Sequence, residues 1–235
     1  MLGSTTKTGY LAAALVAAVA AGGCNETAPG EMGVVLFTPD ECGRLDGCDF
    51  GDGIGVGGAI QVWIAGAEGV STAGFDLWSE DPDILDVVAI PDQNNRPTWQ
   101  LTGYAGGAAR LWAMDGAGND VDFIDVPVRA LSALTLEPFA GDAVGPTSDA
   151  DFDEIWTVNA GANTSFYVTP LIGAGQPTMG VYEYGVTLDD GLFQSLLASA
   201  QPEIGYLYFN VLPGEYAASF ETDQGVFVDA LIIAQ

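Results

Sequence analysis

From Val34 onward, apolar and polar residues alternate over short runs separated by Gly, Pro, Asn and Asp. AIQVWIAG (59–66), GFDLWS (74–79), ILDVVAI (84–90), TWQLTG (98–103), GGAARLWAM (106–114) and VDFIDVPV (121–128) are such runs. A period of two, with β-branched and aromatic residues, predicts half-buried strands. The punctuation between them, SEDPD, PDQNNRP and DGAGN, recurs at the roughly 8–12-residue spacing of a sandwich. Past Ala130 the pattern begins again with LSALTLEPF, IWTVN, TSFYVTPLIG, MGVYEYGVTL, IGYLYFNVL, EYAASFET and VFVDALIIA. No segment carries a long apolar stripe of helical period, although GLFQSLLASA (191–200) suits a short helix as well as a strand. The expected fold is all-β. Two sandwiches in tandem, residues 34–130 and 131–235, are the first choice, and one larger sandwich is the alternative.

The first residues follow a different rule. In MLGSTTKTGYLAAALVAAVAAGGC, Lys7 is the only charge, and Tyr10 to Gly23 are apolar or small. That is the pattern of a secretory signal over residues 1–23, too short for the roughly 20 apolar residues of a bilayer span. Two processing patterns overlap here. Ala18-Val19-Ala20 is an A-x-A site, and Ala21-Gly22-Gly23-Cys24 resembles the lipobox of bacterial lipoproteins, departing from it at Ala21, where Leu is usual. The chain has three cysteines, an odd number for an exported protein. Cys42 and Cys48 lie close enough in ECGRLDGC to pair, which leaves Cys24 for lipidation, or otherwise as a free or intermolecularly paired thiol. Residues 24–33 then form a polar, Pro/Gly-containing tether to a membrane. Asn25, where an Asp would signal inner-membrane retention, implies by the same resemblance the outer membrane.

Composition narrows the partners. The formal charge is −27, with five basic and 32 acidic side chains, and Lys7 leaves with the signal. Nucleic acid is excluded, because its binding needs clustered Lys and Arg; the membrane is reached through lipid, not charge. Cations, basic envelope proteins and neutral glycans remain as partners, beside the plain reading that acidity keeps the protein soluble. Hydrophobic residues make up 49% of the chain and charged residues 16%, enough for a packed core. The chain contains no histidine, which removes most acid–base, nucleophilic and metal chemistry. No G-x-S-x-G and no Gly-rich phosphate loop occurs. The expectation is a non-enzyme without a resident cofactor; a carboxylate-pair hydrolase is the enzymatic alternative.

Between Ser79 and Val128, SEDPDILDVVAI, WQLTG and GGAARLWAMDGAGNDVDFIDVPV resemble bacterial Ig-like domains of the intimin and surface-protein kind, and LPGEYAASFE resembles a strand entry of such sandwiches. The resemblance implies Ig-like β-sandwich domains displayed for interaction or structure, and no catalytic motif. Strand alternation places Trp63 with Gln61, Trp78 with Asp76 and Trp112 with Arg110 on faces opposite the apolar ones. Three tryptophans therefore point outward, as a glycan or protein surface requires. Asp149, Asp151 and Asp153 open like a calcium loop, but Glu154 stands where the turn glycine belongs and Ala160 where the bidentate Glu belongs. Only a looser Ca²⁺ site is left. Asp115, Asp120 and Asp122 surround the DGAGN hairpin, whose positive-φ turn accounts for Asp115 and the glycines.

Overall fold

A computed structural model of the chain describes residues 27–40, 49–93 and 96–235. Its strands are β1 (Ala28–Pro29), β2 (Val35–Asp40), β3 (Ile54–Gly55), β4 (Ala59–Gly66), β5 (Asp76–Ser79), β6 (Leu85–Gln93), β7 (Arg96–Gly103), β8 (Gly107–Met114) and β9 (Asp120–Arg129). They continue with β10 (Leu131–Ala140), β11 (Val144–Thr147), β12 (Glu154–Val158), β13 (Thr164–Ile172), β14 (Gln176–Pro177), β15 (Gly185–Leu188), β16 (Tyr206–Phe209), β17 (Gly214–Glu221) and β18 (Phe227–Ala234). Among the described residues one short α-helix, α1 (Asp190–Ser195), interrupts them. Among the described residues no helix is long and apolar enough to cross a membrane.

The strands form four sheets. Sheet A runs β1-β2-β4-β7-β6 and sheet B runs β3-β9-β8-β5. Sheet C is built on β13, which pairs with β10, β14 and β16, and sheet D runs β11-β12-β18-β17-β15. Alternation decides which side chains are enclosed. Val35, Phe37, Ile60, Val62, Leu101, Leu111 and Val126 meet in one hydrophobic cluster, formed by residues of sheets A and B. Leu136, Phe166, Leu207, Phe209, Phe220 and Ile232 meet in a second, formed by residues of sheets C and D. Each such side chain contributes about 1.5–3 kcal/mol on full burial. The fold is all-β with sandwiched sheets, as the alternation predicts.

The two clusters are tied by more than the single residue, Ala130, between β9 and β10. Met179, from the second half of the chain, is fully buried in the first cluster. The Gly55 amide donates to the Met179 carbonyl at 3.0 Å, Ala59 and Val181 exchange backbone hydrogen bonds, and the Thr178 hydroxyl donates to the Gly53 carbonyl at 2.9 Å. Glycines at 55 and 58 leave room for the buried ring of Tyr182, whose hydroxyl donates to the Met179 carbonyl at 3.4 Å.

Several expectations differ from the structure. Residues 28–33, read as tether, are docked: β1 pairs with Leu36 and Phe37 of β2. The ambiguous GLFQSLLASA run starts as helix α1. MGVYEYGVTL is a strand only from Gly185; its first part is the bridge to the first cluster, bent at Gly180. Cys24, Cys42 and Cys48, with the proposed lipidation and pairing, lie outside the described residues.

Candidate functional site

Sheet B carries a row of aromatic rings on its outer face. Trp78 of β5 stands opposite Trp112 of β8, which stands opposite Phe123 of β9. The ring centroids are 6.2 Å apart for Trp78–Trp112 and 4.7 Å for Trp112–Phe123. The residues between them in sequence, Leu77, Leu111, Ala113 and Ile124, are buried. Arg110 lies across the row, 4.1 Å from the Phe123 ring centroid, and pairs with Asp125 at 3.0 Å. That carboxylate, by hydrogen bond and charge, pushes the guanidinium pKa still higher. The Trp78 indole N–H donates to Asp120 at 2.8 Å, and the residue remains 38% exposed. The row is therefore fixed in place by its neighbours while open to solvent.

Trp63 also faces outward but lies on sheet A, away from this row, with the Arg96 guanidinium 4.3 Å from its ring centroid. The structure thus joins two of the three predicted tryptophans and separates the third. The remaining two, Trp99 and Trp156, are buried, their N–H groups donating to Asp76 and Glu154, each at 2.9 Å.

Sheet C presents a second aromatic row. Tyr167 of β13 sits opposite Tyr206 of β16 and, on its other side, opposite Glu137 of β10. A register shift between Pro138 and Ala140 sets Phe139, 62% exposed, against Tyr167 at 5.1 Å. Tyr167–Tyr206 and Tyr206–Tyr208 centroids are 4.9 and 6.3 Å apart. Beside the row is a cleft of about 330 Å³ whose walls include Glu137, Tyr167, Gln201, Ile204 and Tyr206. Sequence reading passed over this face. Its signal was the alternation in YLYF, with Tyr206 and Tyr208 outside and Leu207 and Phe209 inside.

The acidic residues behave as structural acceptors. Asp149 accepts from the amides of Asp151 and Phe152, and Asp153 accepts from the Asp229 amide at 3.0 Å. Among the described residues no group of three His, Cys, Asp or Glu side chains is gathered as a metal would need. Asp115 caps its hairpin by accepting from Asn119 and Ala117, which pulls its pKa below the ordinary aspartate value. Asp122, beside the same hairpin in sequence, is fully buried. One carboxylate oxygen accepts from Met32 and Phe123, the other from Val34 and Val35, at 2.7–2.9 Å. A Cβ on Gly30 would overlap this carboxylate, so the turn there requires glycine.

No protein-family model matches the chain, and no curated protein matches it. Among solved structures it is similar to domains 5–6 of the S-layer protein SbsC, at 11% identity and a TM-score of 0.29, over 78% of this chain and 93% of that one. It is also similar to a Bacteroides ovatus mixed-linkage glucan utilization protein, SGBP-B, at 10% identity and a TM-score of 0.32, over 83% of this chain and 47% of that one. A C-terminal intimin fragment in complex with its receptor's binding domain aligns at 15% identity and a TM-score of 0.28, over 75% and 57%. Scores this low align strands and carry no information on ligand or activity.

Proposed function

We propose that the chain is an exported, non-enzymatic lipoprotein of the bacterial cell envelope, anchored through Cys24, that presents β-sandwich surfaces to an envelope protein or glycan. The observation that carries the interaction reading is the Trp78–Trp112–Phe123 row on the outer face of sheet B, with Trp78 exposed and Trp112 and Phe123 half-buried. Aromatic side chains offer large contact area at low entropic cost and are enriched at binding hot spots. The anchor rests on the Ala21-Gly22-Gly23-Cys24 motif behind an apolar leader; several acyl chains give firm attachment, since each buried CH₂ contributes about 0.8 kcal/mol.

The test is the intact mass of the protein from the membrane fraction, compared with Cys24→Ser. A mature chain beginning at Cys24 with acyl mass, lost together with membrane partitioning in the variant, is the expected result. An unmodified chain beginning at Ala21 refutes the anchor. A calcium module built on Asp149, Asp151 and Asp153 is the weaker reading, because backbone amides already engage two of those carboxylates.

A further inference from the structure

The cleft on sheet C supports an assignment of its own. Its walls include Tyr167, Tyr206, Glu137 and Gln201, with Ile204 at 44% exposure beside them. Three neighbouring strands fix Glu137, Tyr167 and Tyr206 in one line across the sheet, so their spacing is set by the ladder itself. Gln201 is held to Tyr206 by paired backbone hydrogen bonds of 2.9 and 3.0 Å. At about 330 Å³ the space falls within the range of small-molecule sites, roughly 300–1,000 Å³.

Charge decides what enters. Among the described residues no Lys or Arg lines this cleft, Glu137 stands in its wall, and the whole chain carries −27. Phosphorylated, sulfated and carboxylated ligands are repelled. A carboxylate beside a side-chain amide suits a ligand with several hydroxyl groups, whose O–H donates to the carboxylate in a charge-assisted bond. Ring faces carry negative charge density and attract the weakly positive C–H groups of an apolar ring face. One class of molecule offers hydroxyls at its edge and C–H groups on its face. We infer that this cleft, with the adjoining Phe139–Tyr167–Tyr206–Tyr208 row, binds a neutral saccharide. A quaternary ammonium group would use the rings and the carboxylate but itself offers no donor or acceptor to Gln201. This inference goes beyond the display reading and does not depend on lipid attachment, so each can fail without the other.

Saturation-transfer NMR on the full exported chain tests it, with neutral gluco-, manno-, galacto- and xylo-tetraoses as probes and choline as the counter-probe. Transfer to at least one tetraose is expected. Glu137→Gln and Tyr206→Ala should each weaken its binding about tenfold, the loss of one charge-assisted or stacking contact. Trp112→Ala, on the other aromatic row, should leave it unchanged, and near-UV circular dichroism identifies any variant that misfolds. Glu137→Gln, a conservative change in a half-exposed side chain, keeps the test valid if Tyr206→Ala unfolds. No transfer to any tetraose overturns the assignment, as does transfer lost in Trp112→Ala but retained in both cleft variants. Binding of choline alone also overturns it, in favour of a cation site.

Discussion

Replacing Asp122 by asparagine isolates the contribution of a carboxylate that fastens residues 30–35 to the first sandwich. The side chain is fully buried and accepts from four backbone amides. Asparagine keeps its shape and one acceptor oxygen. That oxygen settles against Val34 and Val35, since the Val35 amide is the most deeply buried donor. The new NH₂ group then confronts the amides of Met32 and Phe123, and two charge-assisted bonds are lost. At about 1.5–3 kcal/mol each, with part recovered by water at exposed Met32, the expected loss is about 3 kcal/mol. Alanine would remove all four bonds and cost about 5 kcal/mol, close to the whole stability of a marginal domain. Urea denaturation followed by tryptophan fluorescence gives the global loss, and amide exchange at Met32, Val34 and Val35 locates it. The slope against denaturant should stay constant while the midpoint falls. A loss below about 0.5 kcal/mol, the range of ordinary surface substitutions, would refute the reasoning. So would faster exchange at these amides with an unchanged midpoint. Asp120→Asn, on the exposed partner of Trp78, is the control and should cost within that range.

Three further expectations concern other parts of the fold. Gly55→Ala places a Cβ on the Tyr182 hydroxyl and within 2.8 Å of Leu131 and Thr178 side-chain carbons, so overpacking should cost about 1–3 kcal/mol by calorimetry; a variant as stable as the parent would show the junction to be slack. The hydroxyl of Thr169 is buried without a hydrogen-bond partner among the described residues, and Thr169→Val should therefore raise stability by about 1 kcal/mol; a lower melting temperature would mean that the hydroxyl is paired. Burial pushes the Tyr182 and Tyr184 phenols well above the ordinary tyrosine range. Both keep their protons in the folded state while the unfolded chain loses them from about pH 10, so stability is intact below that pH and falls above it. Ultraviolet titration should show two tyrosines that ionise only as the protein unfolds, and their early, reversible ionisation would contradict the burial.

Strands with strict alternation were legible because the period of two is a local property. Trp78 and Trp112 could be placed outside their sheet from Leu77 and Leu111 alone. What could not be read was adjacency. Nothing near Trp63 says that its strand belongs to the other sheet, and nothing near Tyr167 says that Tyr206 stands opposite it. The burial of Asp122 was illegible for a related reason: the Val34 amide that donates to its carboxylate lies 88 residues away. Met179 has the alternation of its neighbours in MGVYEYGVTL, yet its partners are Gly53 and Gly55, so the segment bridges two cores where a plain strand was expected. Phe139 shares the outward face of Glu137 by alternation, but nothing in LSALTLEPF says that it stands against Tyr167.

The seating of Met179 in the first core bears on how such a chain can evolve. A gene cut at the codon for Ala130 would separate two stretches of regular strand pattern, yet the first would leave behind the side chain that seals it, and the second would carry that side chain bare. Duplication, exchange or loss of either half alone is penalised at once, before any ligand is considered. The halves must vary together around Gly55, Tyr182 and Met179, and substitutions there are expected to travel as a set. Recombination, for this protein, has a unit longer than its sandwiches.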